Sequence, residues 1–191
     1  KAEGGAYAFS GGLHGVGVSV TNALSLSMHV TVWRDGRQFD IGFADGAVVE
    51  PLTSRPSPRP RRSTGTRVSC KPDPKYFDSP DIPEQQLIRL LKSKAVLMPG
   101  CTVSYKNAVT GADLQWKYDG GLREYLLAEL PEALLCEPFE AQEWADDDTE
   151  GFANGEGASW VVCWTEAGAL VRESYVNLIP TPAGGTHEAG L

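Results

Sequence analysis

The sequence predicts an α+β fold, in which helices alternate with antiparallel strands. A glycine-rich stretch at residues 10–17 runs into apolar residues with the pattern of a helix. The dipeptides Asp35-Gly36 and Asp45-Gly46 separate short strand-like runs, which is typical of β-hairpins. Residues 83–97 then place apolar side chains on one helical face. With 191 residues, 41% of them hydrophobic, the chain can hold one large domain, or one domain and part of a second.

The first half of the chain divides into a helix and a run of short strands. We expect a helix over residues 14–26, followed by strands at 29–33, 38–43 and 48–52. Residues 53–63 alternate proline with arginine, which disfavours both helix and sheet pairing, so we expect an exposed polyproline-like loop. This loop is interpreted either as a lineage-specific surface feature or as a basic patch that touches DNA. A further strand is expected at 67–70.

The second half contains two helices and two hairpins. Pro83 suits the start of a helix that runs to Leu97 and is ended by Pro99-Gly100. Further elements are expected as a hairpin of strands 102–105 and 113–118, a helix at 122–130, and long antiparallel strands at 159–165 and 169–179. Between them, residues 137–150 are strongly acidic and are predicted to form a solvated loop.

Composition limits the classes of function. The net charge of −8 argues against a nucleic-acid platform, because duplex affinity comes mainly from cations that neutralise phosphates. No apolar run approaches the roughly 18–20 residues that span a bilayer, so a cytoplasmic protein is expected. The four cysteines form no C-x-x-C pair, so free thiols are expected and a zinc site is not. They are Cys70, Cys101, Cys136 and Cys163.

The glycine-rich stretch predicts phosphate binding. Glycine lets the backbone approach an oxyanion closely, and the first turn of the following helix presents N–H groups without intrahelical partners. The alternative is a glycine-rich bend that only packs the helix closely. Neither familiar phosphate loop fits, because Val18 replaces the lysine of a P-loop and Val20 replaces the third glycine of a Rossmann fingerprint.

The order of the glycines resembles one specific family. The segment Gly12-Leu13-His14-Gly15-Val16-Gly17 is similar to the glycine box of the GHKL ATPases, and residues 10–25 resemble that box in the type IIA topoisomerase ATPase subunits. Three later segments resemble the same family in the same order: Thr64 to Val68, Tyr175-Val176-Asn177, and Gly184-Gly185-Thr186-His187. The agreement covers nearly the whole chain, so it is far more specific than one glycine loop.

Two branches of this family differ at a few segments. Residues 94–100, 177–181 and 73–80 resemble the topoisomerase IV branch (ParE) more than gyrase B. Two alternatives stay open at this point. One is gyrase B, which shares the chemistry but introduces negative supercoils. The other is a nucleotide-binding module that kept the glycine box without hydrolysing ATP.

The resemblance implies a fold, cofactors and partners. It places the C-terminal part of a Bergerat-type two-layer ATPase sandwich at residues 1–135. The opening strands of a transducer domain with a ribosomal-protein-like α/β fold follow at 136–191. ATP and Mg²⁺ are the implied cofactors. The implied partners are a second copy of the ATPase-bearing chain, the companion DNA-cleaving chain (ParC) in an A2B2 complex, and DNA, within the bacterial cytoplasm.

The resemblance also implies site residues. Seven would surround the triphosphate: Gly12, Leu13, His14, Gly15, Val16, Gly17 and Val18. Thr66 would hydrogen-bond near the adenine. The family's general-base glutamate, magnesium-binding asparagine and adenine-reading aspartate match positions before Lys1, and its γ-phosphate lysine matches a position after Leu191. We therefore expect no catalytic residue and no metal ligand within this sequence, and no ATP hydrolysis by this chain alone.

Overall fold

The structure is a computed structural model, and it describes residues 16–79, 81–130, 133–166 and 171–190. The chain divides into two compact units, one formed by the described part of Gly12–Ile82 and the other by the described part of Pro83–Leu191. Both mix helix and sheet, which confirms the α+β class. The proposed boundary between 1–135 and 136–191 falls inside the second unit and stays a prediction.

The first unit is a four-stranded antiparallel sheet preceded by a helix. The strands lie in the order β3-β2-β1-β4, which places β3 and β4 at the edges. The elements are α1 (Val16–Ala23), β1 (Ser25–Arg34), β2 (Arg37–Ala44), β3 (Ala47–Pro56) and β4 (Gly65–Pro72). Both predicted Asp-Gly turns form, with φ of 54° and 74° at Asp35 and Gly36 and of 47° and 79° at Asp45 and Gly46. Two consecutive left-handed residues define the tight turn that this dipeptide favours.

The strand register sorts the side chains of this sheet onto two different faces. One face, here called the apolar face, carries Met28, Val30, Val32, Phe39, Ile41, Phe43, Thr66 and Val68. The other, the polar face, carries Thr31, Trp33, Gln38, Asp40, Arg55 and Arg67.

A hydrogen-bonded network links the side chains of the polar face. The Trp33 Nε1 donates to Gln38 Oε1 at 3.0 Å, and Gln38 Nε2 donates to Asp40 Oδ2 at 2.9 Å. The Thr31 hydroxyl donates to Asp40 Oδ1 at 2.8 Å. Because three of these side chains are buried, their polar atoms need such partners to avoid an unmet desolvation cost.

Two predictions about this unit need correction. The helix expected over 14–26 ends at Ala23, because β1 already begins at Ser25. The loop expected over 53–63 is shorter, since residues 53–56 belong to β3 and pair with β2. Proline is compatible with this pairing because β3 is an edge strand, where a missing N–H need not cost a ladder hydrogen bond.

The second unit contains three helices and three two-stranded sheets. Its elements are α2 (Glu84–Leu97), β5 (Val103–Lys106), β6 (Asp113–Trp116), α3 (Gly121–Glu129), β7 (Phe139–Trp144), β8 (Gly157–Val162), β9 (Tyr175–Val176), β10 (Ile179–Pro180) and α4 (Thr186–Ala189). Its core gathers Ala95 and Val96 of α2 with Tyr118 and Tyr125. The two tyrosine rings meet edge to face, with centroids 5.6 Å apart.

The acidic segment is not the loop that its charge predicted. Residues 139–144 form β7 and pair with β8, so the partner of β8 is this strand and not residues 169–179. Phe139 packs against Trp160 with ring centroids 5.1 Å apart. Glu137 and Glu140 both pair with Arg123, at 3.0 and 3.2 Å. Apolar and polar residues alternate only over residues 139–142, which is too short a signal to identify a strand within so charged a segment.

Three observations concern the cysteines, metal binding and membranes. All four cysteines are free thiols. No cluster of three or more histidine, cysteine or acidic side chains that could hold a metal occurs among the described residues. Within the same ranges, no helix is long and apolar enough to cross a membrane.

Candidate nucleotide-binding site

The start of α1 is the described part of the predicted phosphate loop. Val16 and Val18 are 49% and 61% exposed. Gly12, Leu13, His14 and Gly15 lie outside the described residues. The C-terminal end of α1 is held in place, since Asn22 Nδ2 donates to the Gly46 carbonyl at 3.2 Å and the Ser25 hydroxyl donates to the Thr21 carbonyl at 2.7 Å. The helix is therefore anchored at one end while the end with unpartnered N–H groups is exposed.

Gly17 has no evident role in the fold. A Cβ built on this glycine meets no heavy atom of the described residues within 4 Å, and its φ is outside the left-handed region that favours glycine. In a helix interior, glycine costs about 0.5–1 kcal/mol relative to alanine, and this value is an upper bound for Gly17, the second residue of α1. Neither space nor backbone conformation within the described part of the chain explains this cost. A ligand that approaches the backbone closely would explain it.

Thr66 lies on the apolar face of the sheet, where it pairs with Val32 across the β1–β4 ladder. The residue is exposed, and its hydroxyl has no hydrogen-bond partner among the described residues. Val68, two positions along the same strand, is 49% exposed on the same face. A free hydroxyl beside accessible apolar side chains suits a ligand with a flat apolar body and a polar edge.

Asp73 ties the end of β4 to the junction of α1 and β1. Its backbone N–H donates to the Leu24 carbonyl at 2.9 Å. Its carboxylate accepts from the Lys75 N–H at 3.1 Å and pairs with Lys75 Nζ at 2.7 Å. The hydrogen bond from the Lys75 side chain is the main reason that the pKa of Asp73 lies below its ordinary value. The link to the α1–β1 junction is therefore made by the Asp73 backbone, while its carboxylate holds the turn at residues 73–75.

The arrangement brings the predicted residues into one unit but onto separate elements. Val16, Gly17 and Val18 lie on α1, whereas Thr66 lies on β4. Thr66 pairs with Val32, which lies seven residues beyond Ser25 at the start of β1. Thr66 is therefore about 23 Å along the strand direction from the end of β1 that follows α1. Sequence reasoning missed the anchoring role of Asp73. Its signal was an aspartate placed before Pro74 and Lys75, the pattern of a helix N-cap.

Comparisons with known proteins agree in pointing to one group. No protein-family model matches the chain. The DNA topoisomerase 4 B chain of Pseudomonas aeruginosa is 47% identical over 189 residues, which cover 97% of this chain and 28% of that protein. The Escherichia coli protein of the same name is 42% identical over 192 residues, with the same two coverages.

Solved structures give the same result. The topoisomerase IV ATP-binding domain of Francisella tularensis, in complex with a small-molecule inhibitor, has a TM-score of 0.71 at 37% identity and covers 95% of this chain and 47% of its own. The 43K ATPase domain of Thermus thermophilus gyrase B, in complex with an aminocoumarin, has a TM-score of 0.74 at 34% identity and covers 91% of this chain and 46% of its own.

These relatives define the class as the ATPase-bearing components of type IIA DNA topoisomerases. Their fold confirms the family resemblance that the glycine box and the three later segments suggested. Within that class, the chain belongs to the family of the B subunit of DNA topoisomerase IV, ParE. It spans 28% of the length of the curated relatives named above.

Proposed function

We propose that this chain forms part of the ATP-binding region of a topoisomerase IV ParE protein, in which ATP drives DNA strand passage. The observation that carries the proposal is the open space at Gly17 on an exposed helix start. Packing among the described residues gives no reason for glycine there, whereas close approach of a phosphate does. The family relationship supplies the identity of the ligand, because the solved relatives are named as ATP-binding and ATPase domains.

Each part of the site would contact a different part of ATP. Backbone amides from Gly12 to Val18 would donate to the triphosphate and offset its charge. The Thr66 hydroxyl would hydrogen-bond near the adenine, with Val68 beside the ring. Mg²⁺ bound to the phosphates would further reduce their charge. Among the described residues, no cluster of side chains that could hold a metal occurs. Their proposed contact with Mg²⁺ is indirect, through the phosphates that they would bind.

The larger assembly is part of the proposal. Residues 1–135 would complete the C-terminal part of a Bergerat ATPase sandwich, and residues 136–191 would open a transducer domain. ATP binding would join two ParE copies and close a gate through which a DNA segment passes. The two copies would act with ParC in an A2B2 complex on DNA in the bacterial cytoplasm. Gyrase B is the second candidate, favoured by the likeness to the T. thermophilus gyrase B ATPase domain.

A substitution at Gly17 tests the proposal. In the full-length protein, Gly17→Val should abolish binding of a non-hydrolysable ATP analogue, because the side chain would occupy the space that a phosphate needs. Binding would be measured by titration calorimetry and folding by circular dichroism. The control is Gly190→Ala, since Gly190 has a right-handed backbone with φ of −87° and only an ordinary contact at its Cβ position.

The same measurements define the result that would contradict the proposal. Normal analogue binding by folded Gly17→Val would show that the glycine box is a packing bend and would remove the site. If Gly17→Val proves unfolded, Gly17→Ala replaces it. Alanine fits the helix without strain, so its loss of binding would still report on the ligand.

A further inference from the structure

Positive charge is concentrated in one segment of this acidic chain. The net charge is −8, yet residues 51–72 contain six arginines and lysines and no aspartate or glutamate. Four of these residues, Arg59, Arg61, Arg62 and Arg67, lie in or beside the loop that joins β3 to β4. These four are here called the arginine patch.

Arg59 fixes the loop to the sheet. Its guanidinium carbon lies 3.6 Å from the centroid of the Trp33 ring, and that of Arg67 lies 5.5 Å from the same ring. Both distances are within the range of cation–π attraction. Gly65 leaves room for this stacking, since a Cβ there would lie 2.9 Å from Arg59 Nη1.

The loop backbone is held as well. Ser57 N donates to the Gly36 carbonyl at 2.9 Å, and Ser63 N donates to the Pro60 carbonyl at 2.8 Å. Arg61 packs against the β1–β2 turn, where a Cβ on Gly36 would lie 3.1 Å from Arg61 Cγ. Arg61 and Arg62 line a shallow concavity with Asp35 and Thr64. The patch is therefore a shaped surface, built on a hairpin turn and an aromatic ring.

The charges of the patch are not neutralised locally. Arg34 pairs with Asp35 at 3.3 Å, and Arg55 pairs with Asp40 at 3.4 Å. By contrast, none of the four patch arginines makes an ion pair within the described ranges of the chain. Arg61, Arg62 and Arg67 are exposed, whereas Arg59 is half-buried against Trp33. Guanidinium groups without an ion-pair partner keep their hydrogen-bonding capacity for an external anion.

We infer that the arginine patch binds the phosphate backbone of duplex DNA. The planar guanidinium matches phosphate oxygens in a two-pronged geometry, and several such groups on one surface suit a polymer of phosphates. The choice of DNA over another polyanion rests on the proposed function. The binding surface itself is separate from the candidate nucleotide site, because Arg67 lies on the polar face and Thr66 on the apolar face of β4.

The test compares two double variants of the full-length protein with equal charge change. Arg61→Gln with Arg62→Gln removes two patch charges. Lys106→Gln with Lys117→Gln is the control, since both lysines are exposed and already paired with aspartates, at 2.8 and 2.7 Å. Affinity for a short labelled DNA duplex would be measured by fluorescence anisotropy over a salt series.

The expected result is a change in the salt dependence. The slope of log K against log salt should fall by about 2 in the arginine variant, because each phosphate contact contributes roughly 0.9 to that slope. The control should keep the parental slope. Equal slopes and affinities for the arginine variant and the parent would overturn the inference. So would a parent that binds polyglutamate but not DNA, which would indicate an acidic protein as the partner.

Calorimetry with the ATP analogue separates this inference from the proposed function. The arginine variant should bind the analogue as the parent does, because its changes lie away from the candidate nucleotide site. If the parent binds DNA through the patch but never binds the analogue, the proposed function fails and the patch stands. If the analogue binds normally while DNA affinity is unaffected by the arginine changes, the patch fails alone.

Discussion

The two faces of the first unit's sheet differ in how far their side chains are buried and hydrogen-bonded within the unit. On the polar face, Trp33 is only 6% exposed because Gln38 and two arginines cover it. On the apolar face, Val68 is 49% exposed and the Thr66 hydroxyl has no partner among the described residues. The polar face is thus satisfied within its own unit, whereas the apolar face offers both apolar surface and a free hydroxyl. Under the proposed function, the apolar face is therefore the face that would contact the nucleotide.

The largest test of the comparison is truncation of Trp33. Trp33→Ala should lower the free energy of unfolding by about 3–5 kcal/mol, because it removes a buried aromatic ring. Val68→Ala on the apolar face should cost less than about 1.5 kcal/mol, since that side chain is half exposed. Urea denaturation of both variants measures the difference. Equal losses of unfolding free energy in the two variants would show that side chains on the two faces contribute equally to the fold.

Thr66→Ala tests whether the apolar face binds the nucleotide. ATP affinity should fall by about 0.5–1.5 kcal/mol, the net value of one ordinary hydrogen bond, while unfolding changes little. Titration calorimetry beside urea denaturation gives both numbers. Thr102→Ala, an exposed threonine of the second unit, is the control. A loss of stability with unchanged affinity would assign Thr66 to the fold.

The network on the polar face should appear in a titration. The hydrogen bond from the Thr31 hydroxyl is the largest cause that holds the pKa of Asp40 below its ordinary value, and Gln38 and Arg55 lower it further. Folding therefore gains from the ionised carboxylate above the ordinary pKa, and this gain is lost as pH falls through the depressed pKa. Thr31→Val should raise the Asp40 pKa in an NMR titration. An unchanged value would contradict the assigned cause.

The smallest expected effect concerns the loop between β3 and β4. Replacing residues 57–63 by a short glycine-serine turn should leave ATP affinity unchanged, because loop length alters closure entropy only slowly. The replaced residues include Arg59, which packs on the polar face away from Thr66. Calorimetry on the loop variant and its parent decides the point. A tenfold loss of affinity would show that the loop reaches the nucleotide.

The sequence predicted most elements because local chemistry determined them. The Asp-Gly turns set the register of β1, β2 and β3, and the apolar face of 83–97 specified α2. The failures came where position in the sheet outweighed local preference. Proline reads as a strand breaker unless the strand is known to be an edge, and a charged segment reads as a loop unless its pairing partner is known.

The candidate site was predictable only in part. Gly17 and Thr66 were identified through motif resemblance, yet no sequence pattern shows that a Cβ at Gly17 would meet open space. Nor could the sequence show that Thr66 and Arg67 face opposite ways on a specific sheet, since that depends on the pairing of β4 with β1. The anchoring of Asp73 to Leu24 is likewise a contact between segments distant in sequence.

The composition of β3 affects how this sheet behaves toward other chains. An exposed edge strand presents unpaired N–H and C=O groups on which a foreign strand can add. Pro51 and Pro56 lack the N–H that such an addition requires, and Glu50 and Arg55 place charges along the same edge. The prolines that obscured this strand in the sequence therefore also protect the β3 edge against aggregation through strand addition.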